Sequence, residues 1–231
     1  MTTTFTFWAF FLICSAWLLA RAVTDHRRAM AQRRVLLDEA AGLLDDAKIT
    51  FAPDQFPILI GRLADRRQVK VELIADTLVT RRLPQLWLRA TLSERVEQRR
   101  PMIGALARPT GAEFYSLVHN MPEQFVPPQT DVPLLMRGDG GTTATQIQRA
   151  SSMFRKLFAD PTVKEAVIAP RGTRLVRQAC QGDRGAHLVM RQARFPIKAV
   201  GVDLVQRALD ELQALSETLA IADDPVLAGV S

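Results

Sequence analysis

Residues 5–20 have the sequence FTFWAFFLICSAWLLA, and no charged side chain occurs from Met1 to Ala20. A helix needs about 20 predominantly apolar residues to cross the roughly 30 Å hydrocarbon core of a bilayer. The segment from Phe5 to Val23 nearly supplies that length, and Arg21 can extend its guanidinium towards the lipid headgroups. The sequence therefore predicts a single-pass transmembrane anchor over residues 1–23, and no second run of this kind follows it.

Aromatic residues are placed where a membrane span favours them. Trp8 and Trp17 lie towards the two ends of the run, and indole side chains are enriched at membrane–water interfaces. The predicted anchor side chains are Phe5, Trp8, Phe11, Trp17 and Leu19.

Two alternatives to an anchor stay open. The tripeptide Ala20-Arg21-Ala22 fits the small-x-small pattern of a signal-peptide cleavage site, but no Lys or Arg precedes the apolar run. A helix buried in a soluble domain is the second alternative. The sequence favours a retained anchor over both.

Basic residues cluster immediately after the run and are opposed only by Asp25. The positive-inside rule therefore predicts an inner (cytoplasmic) membrane protein with its N-terminus outside and its C-terminal domain in the cytoplasm. The same cluster can attract anionic lipids, although a simple stop-transfer flank needs no lipid specificity and is the preferred explanation. Its members are Arg21, Arg27, Arg28, Arg33 and Arg34.

Periodicity divides the rest of the chain. Residues 24–48 are predicted to form a basic juxtamembrane segment and a helix, because apolar residues recur at helical spacing over 34–47. Residues 49–222 are predicted to form a soluble α+β domain, and residues 223–231 a tail. The soluble domain has two possible subregions, 49–141 and 142–222.

Alternating side chains predict strands in the first subregion. Val69, Val71 and Leu73 alternate with Lys70 and Glu72, which is typical of a strand with one wet face. Similar stretches predict three more strands, at 58–63, 76–82 and 86–92. Four short consecutive strands indicate an antiparallel meander.

Two helices flank further strands in the second subregion. A helix over 142–158 is predicted to begin at Thr143 or Thr145 as N-cap, and an amphipathic helix is predicted from 202 to about 220. Strands are predicted between them, at 165–169, 173–180 and 186–195. The fold class is therefore α+β, with one or more antiparallel sheets packed by two or three helices.

Proline and glycine punctuate residues 101–143, which predicts a long, loop-rich but ordered connection. Long ordered loops are often functional, so this segment is the candidate site for a protein partner. The candidate partner-loop residues are Glu113, Tyr115, His119, Phe125 and Arg137.

Composition and motifs exclude several function classes. The 231 residues carry a net charge of +6, yet the soluble part has no basic helix or tract and residues 200–231 hold one basic and six acidic residues. That distribution argues against nucleic acid binding. Neither a phosphate-binding P-loop nor a dinucleotide-binding Gly-x-Gly-x-x-Gly motif occurs, and two cysteines make no disulfide framework. The sequence predicts no cofactor and no metal.

Three hypotheses of function remain. The first is a membrane-anchored, non-catalytic interaction or scaffold protein with an unidentified protein partner. The second is a membrane-tethered domain that binds or transfers a lipid or another apolar ligand. The third is an enzyme with an unrecognised site around Glu113, Tyr115 and His119.

Overall fold

The computed structural model describes residues 2–77, 83–95, 100–185 and 194–219, without the side chains of residues 2–7 and 9. Within these ranges the helices are α1 (Thr2–Arg34), α2 (Ala144–Leu157) and α3 (Val202–Thr218). The first strands are β1 (Asp45–Phe51), β2 (Pro57–Arg62), β3 (Gln68–Asp76) and β4 (Gln85–Ser93). The others are β5 (Ile103–Ala107), β6 (Glu123–Phe125), β7 (Leu134–Gly138), β8 (Val163–Ala169) and β9 (Gly172–Gln181).

All of these strands join one antiparallel sheet in the order β1-β2-β3-β4-β9-β8-β5-β7-β6. The α+β class with a large antiparallel sheet is confirmed. Strands β1 to β4 form a meander, and β4 then pairs with β9 from the second subregion. Strand β5 pairs with β8 in the same way, so residues 49–141 and 142–222 share a single sheet.

Helices α2 and α3 pack on one face of this sheet. Val205, Leu209 and Leu212 of α3 are buried, as is Phe154 of α2. Their three- and four-residue spacing places these side chains on the inner face of each helix. The predicted helices 142–158 and 202–220 thus occur where the apolar stripes indicated, within two residues at each end.

The second face of the sheet is covered by the connection that follows β5. Val118 and Met121 pack against Leu106 and Val167, and Tyr115 packs against the neighbouring strands β4 and β9. The predicted loop-rich segment 101–143 therefore contains three strands as well as loops. Strand β5 is buried on both faces, so its sequence IGALA lacks the alternation that would have predicted it.

The predicted helix over 34–47 is wrong. Helix α1 ends at Arg34, a 3-10 turn spans Glu39–Leu43, and β1 begins at Asp45. The Leu36 carbonyl accepts a hydrogen bond from the backbone N–H of Val200 at 2.8 Å, a tertiary contact in place of a helical one. Two other predicted strands fall largely on residues outside the description, 78–82 and 186–193.

Helix α1 is continuous from Thr2 to Arg34. Among the described residues, no helix combines the length and the apolar character that crossing a membrane requires. Phe5 is one of the predicted anchor residues, and its side chain is not among those that the structure describes.

Candidate functional site

The C-terminal end of α1 is fixed to the sheet domain by specific contacts. The Arg33 guanidinium lies 4.9 Å from the centre of the Phe56 ring and donates a hydrogen bond to the Asp54 carbonyl at 3.1 Å. The Arg34 guanidinium lies 4.5 Å from the centre of the Phe51 ring. Cation–π contacts of this kind, at the turn between β1 and β2, orient the helix relative to the domain.

The N-terminal half of α1 is exposed. Eight large apolar side chains between residues 8 and 19 are each 52% to 68% exposed. They include four predicted anchor residues, Trp8, Phe11, Trp17 and Leu19. A contiguous apolar surface of this kind is rare on soluble monomers and marks a surface that contacts a membrane or another protein.

A groove of about 1300 Å³ lies against α1 between these two regions. On α1 its lining includes Leu18, Ala22 and Ala29, whose spacing places them along one face, and Leu36 lies just beyond the end of the helix. Further apolar walls come from the sheet domain, through Phe56, Phe195, Pro196 and Ile197. The volume exceeds the roughly 300–1,000 Å³ of ordinary small-molecule pockets, so an elongated ligand would fit.

Charged side chains also line the groove. The basic ones are Arg21, His26, Arg28, Arg33 and Arg194, and the acidic ones are Asp25 and Asp183. Arg21 forms an ion pair with Asp25 at 3.2 Å, and Arg33 is engaged by Phe56 and Asp54. Across the part of the chain that the structure describes, the guanidinium groups of Arg28 and Arg194 have no hydrogen-bond or ion-pair partner.

The five predicted flank arginines therefore occupy different environments. Arg21, Arg28 and Arg33 line the groove. Arg34 stacks on Phe51, and Arg27 is exposed on α1 away from the groove lining. Sequence reasoning missed the opposite wall, because nothing in residues 194–197 indicates that they approach a helix over 150 positions earlier.

The candidate partner-loop residues are largely engaged in holding the loop to the sheet. The buried Glu113 carboxylate lies 2.8 Å from Lys164 Nζ and 3.1 Å from His119 Nε2. Burial alone raises the pKa of Glu113, but hydrogen bonds from Lys164, His119 and Thr110 outweigh it and lower that pKa to about 2. Lys164 also donates to two backbone carbonyls.

Tyr115, Arg137 and Phe125 have similar supporting positions. The Tyr115 ring is buried with its centre 6.0 Å from that of Trp87. Arg137 donates to the His119 carbonyl at 3.1 Å, and Phe125 lies on β6. The apolar side chains that this connection exposes most are Phe114 and Val126, at 62% and 88%, and neither is among the candidate partner-loop residues.

The arrangement around His119 offers little chemistry. The Glu113 carboxylate that orients its ring is also bound by Lys164 and Thr110. Within the described ranges no hydroxyl or thiol hydrogen-bonds to the imidazole, so the residues in view form no nucleophile–base pair. Over the same ranges, no group of three or more His, Cys, Asp or Glu side chains is placed to hold a metal ion.

Comparisons with known proteins add little to this geometry. No protein-family model and no curated protein matches the chain. Among solved structures, the chain is similar to the mycobacterial trehalose monomycolate transport factor A, TtfA, with 9% sequence identity and a TM-score of 0.46. The match covers 83% of this chain and 97% of that one. A likeness this distant carries no argument about function.

Proposed function

We propose that this protein is a membrane-anchored domain that binds a lipid or a related amphiphile in the groove beside α1. The observation that carries the proposal is the position of the groove. It joins the exposed apolar half of α1 at Leu18 to the sheet domain at Leu36 and Phe56. It is a binding function, and no reaction is assigned to the site.

The proposed anchor is the N-terminal half of α1. Its apolar side chains from residue 8 to 19 point into solvent in the isolated chain, and insertion into a bilayer would remove them from water. The arginines that follow would then lie in the cytoplasmic interface. The proposed orientation accordingly places the N-terminus outside and the sheet domain in the cytoplasm, as the positive-inside rule predicts.

The geometry favours a ligand that comes from the membrane. The lining residues Leu18 and Arg33 are 15 positions apart on α1, which corresponds to about 22 Å at a rise of 1.5 Å per residue. The end at Leu18 lies within the proposed anchor. A lipid chain could therefore enter the groove with little exposure to water, along walls that are mostly apolar.

The proposal is tested by filling the groove. Ala29 lines it, whereas Ala31 lies on the same helix and does not. The full-length protein is extracted gently from its own membranes and analysed by native mass spectrometry as wild type, Ala29→Trp and Ala31→Trp. We expect bound lipid on the wild type and on Ala31→Trp. An indole in the groove should lower occupancy by about tenfold or more, since overpacking costs roughly 1–3 kcal/mol.

Two results would contradict the proposal. One is a wild-type protein that carries no ligand under these conditions, and the other is equal occupancy in the two tryptophan variants. A stoichiometric protein partner would instead favour the scaffold hypothesis. The exposed side chains Phe114 and Val126 in the connection after β5 would then be the first contact surface to replace.

A further inference from the structure

We infer that the groove selects an amphiphile with an anionic headgroup, such as a carboxylate or a phosphate, and that Arg28 and Arg194 bind that headgroup. The inference rests on the proposed function and names the chemical class of its ligand.

The charges that line the groove are the first step. Arginines outnumber carboxylates there by four to two. Arg21 is already paired with Asp25, and Arg33 is held between the Phe56 ring and the Asp54 carbonyl. The two guanidinium groups that remain, on Arg28 and Arg194, have no partner among the described residues.

The energetics of covering these groups is the second step. A neutral lipid lying over an unpaired guanidinium would strip water from a charge without replacing the lost hydrogen bonds, which is unfavourable. An anionic headgroup would supply oxygen acceptors in place of water. The planar fork of arginine suits this role, because it can donate two parallel hydrogen bonds to one carboxylate or phosphate.

The placement of the two arginines is the third step. Arg28 belongs to α1, whereas Arg194 precedes Phe195 on the opposite wall. The Phe195 ring lies 6.3 Å from that of Phe56, so apolar surface adjoins the basic group on that wall. One groove therefore offers charged contacts for a headgroup and apolar contacts for its chain.

General attraction between a basic segment and an anionic membrane is the competing explanation. The chain contains a matched control. Arg27 and Arg28 are adjacent on α1, are both exposed and carry the same charge, but only Arg28 lines the groove. Reversing either charge changes surface attraction equally, so only a groove-specific effect distinguishes Arg28→Glu from Arg27→Glu.

The experiment measures the affinity of the detergent-solubilised full-length chain for palmitate and for hexadecanol, an uncharged probe with the same chain length. Acetate is included as the charge without the chain. The variants are Arg28→Glu, Arg194→Glu and Arg27→Glu. All three arginines are exposed, so the fold should persist.

We expect the wild type to bind palmitate at least about tenfold more tightly than hexadecanol, because a carboxylate accepts charge-assisted hydrogen bonds from the two guanidinium groups and an alcohol does not. Arg28→Glu and Arg194→Glu should abolish that preference and leave hexadecanol binding within about twofold. Arg27→Glu should behave as the wild type, and acetate should not displace palmitate.

Each other outcome overturns the inference in a recognisable way. Equal binding of palmitate and hexadecanol, unchanged in Arg28→Glu, removes the headgroup selectivity but leaves the proposed lipid-binding function intact. Equal losses in Arg27→Glu and Arg28→Glu assign the effect to general surface charge. Displacement by acetate identifies a simple anion site. Absence of binding by both long-chain probes overturns the proposed function and the inference together.

Discussion

Glu113 accepts hydrogen bonds from three neighbours while its own side chain is fully buried. Lys164 Nζ lies 2.8 Å from one carboxylate oxygen, His119 Nε2 lies 3.1 Å from the other, and the Thr110 hydroxyl donates at 2.9 Å. The side chain of Lys164 is only 1% exposed. A buried ammonium that loses its counterion is strongly destabilising. Substitution of Glu113 should therefore lower the stability of the protein more than other substitutions in this loop.

We expect Glu113→Gln to lower the free energy of unfolding by roughly 3–5 kcal/mol at pH 7, because it removes the negative charge that lies 2.8 Å from the buried Lys164 ammonium. The measurement is urea denaturation of the solubilised full-length chain, followed by circular dichroism. Glu123→Gln, on the exposed edge strand β6, is the control and should change little. Similar losses in both variants would contradict the role assigned to Glu113.

The pH dependence follows from the lowered pKa of Glu113. Its ordinary value is 4.5 and its folded value is about 2, so the stabilisation is fully present above 4.5 and is lost as pH falls towards 2. We expect wild-type stability to decline across this window and Glu113→Gln to lack that component. Denaturation curves at several pH values between 2 and 5 would show parallel profiles if Glu113 did not contribute.

Sequence analysis could propose Glu113 but not its partner. Lys164 lies in the run VKEAVIA, where a lysine is ordinarily expected to face solvent. The register between β8 and β9 shifts between Val163 and Glu165, and Lys164 reaches the Ala107 carbonyl in the interior. A β-bulge adds one residue to a strand and redirects its side chains. The local sequence pattern does not predict where such a bulge occurs.

At the scale of single elements, helix α2 illustrates what the sequence could decide. Both Thr143 and Thr145 were possible N-caps, and the structure places Thr143 there. Its hydroxyl accepts from the Gln146 backbone N–H, while the Gln146 side chain accepts from the Thr143 backbone N–H. Gln146, three residues after Thr143, completes a capping box, and that spacing was a signal available in the sequence.

We expect Thr143→Ala to lower the free energy of unfolding by about 1 kcal/mol, since it removes the acceptor for a helix N-terminal N–H group. Thr145→Ala, one position inside the exposed first turn, should leave stability unchanged or slightly higher because alanine has the better helix propensity. Thermal unfolding followed by far-ultraviolet circular dichroism compares them. A larger effect of Thr145→Ala would place the N-cap two residues later, at Thr145.

Strands were predictable only where alternation was present. Strand β3 alternates between apolar and charged residues and occurs as expected. Strand β5 lies between β7 and β8 and is buried along its whole length. Its extended conformation is therefore fixed by pairing with strands that are distant in sequence, and no local alternation predicts it. The 3-10 turn at 39–43 also depends on tertiary contacts. Leu36 and Leu37 are buried in the core, and the α-helix ends before them.

At the scale of the whole molecule, the sheet and the N-terminal half of α1 differ in how much of their apolar surface is exposed to water. The sheet is covered by α2 and α3 on one face and partly by the connection after β5 on the other. The N-terminal half of α1 has no such cover within the described residues and exposes its largest apolar side chains. An exposed apolar surface of this kind is rare on soluble monomers, and under the proposed function a bilayer would cover it.

The proposed orientation can be tested in membrane vesicles. In a chain carrying Cys14→Ser and Cys180→Ser, single cysteines are introduced as Thr3→Cys and as Asp131→Cys, an exposed position of the sheet domain. We expect a membrane-impermeant maleimide to label Thr3→Cys only in right-side-out vesicles and Asp131→Cys only in inside-out vesicles, because translocating the arginine flank is unfavourable. Reversed labelling would contradict the cytoplasmic placement, and labelling of both on one side would contradict a span. If the chain is shortened and the Thr3→Cys label is lost, the protein is cleaved after Ala22 and the anchor is absent. If the intact mass is that of the full chain and the labelling is as expected, the anchor is retained, and the groove lies beside the bilayer from which the proposed ligand would enter.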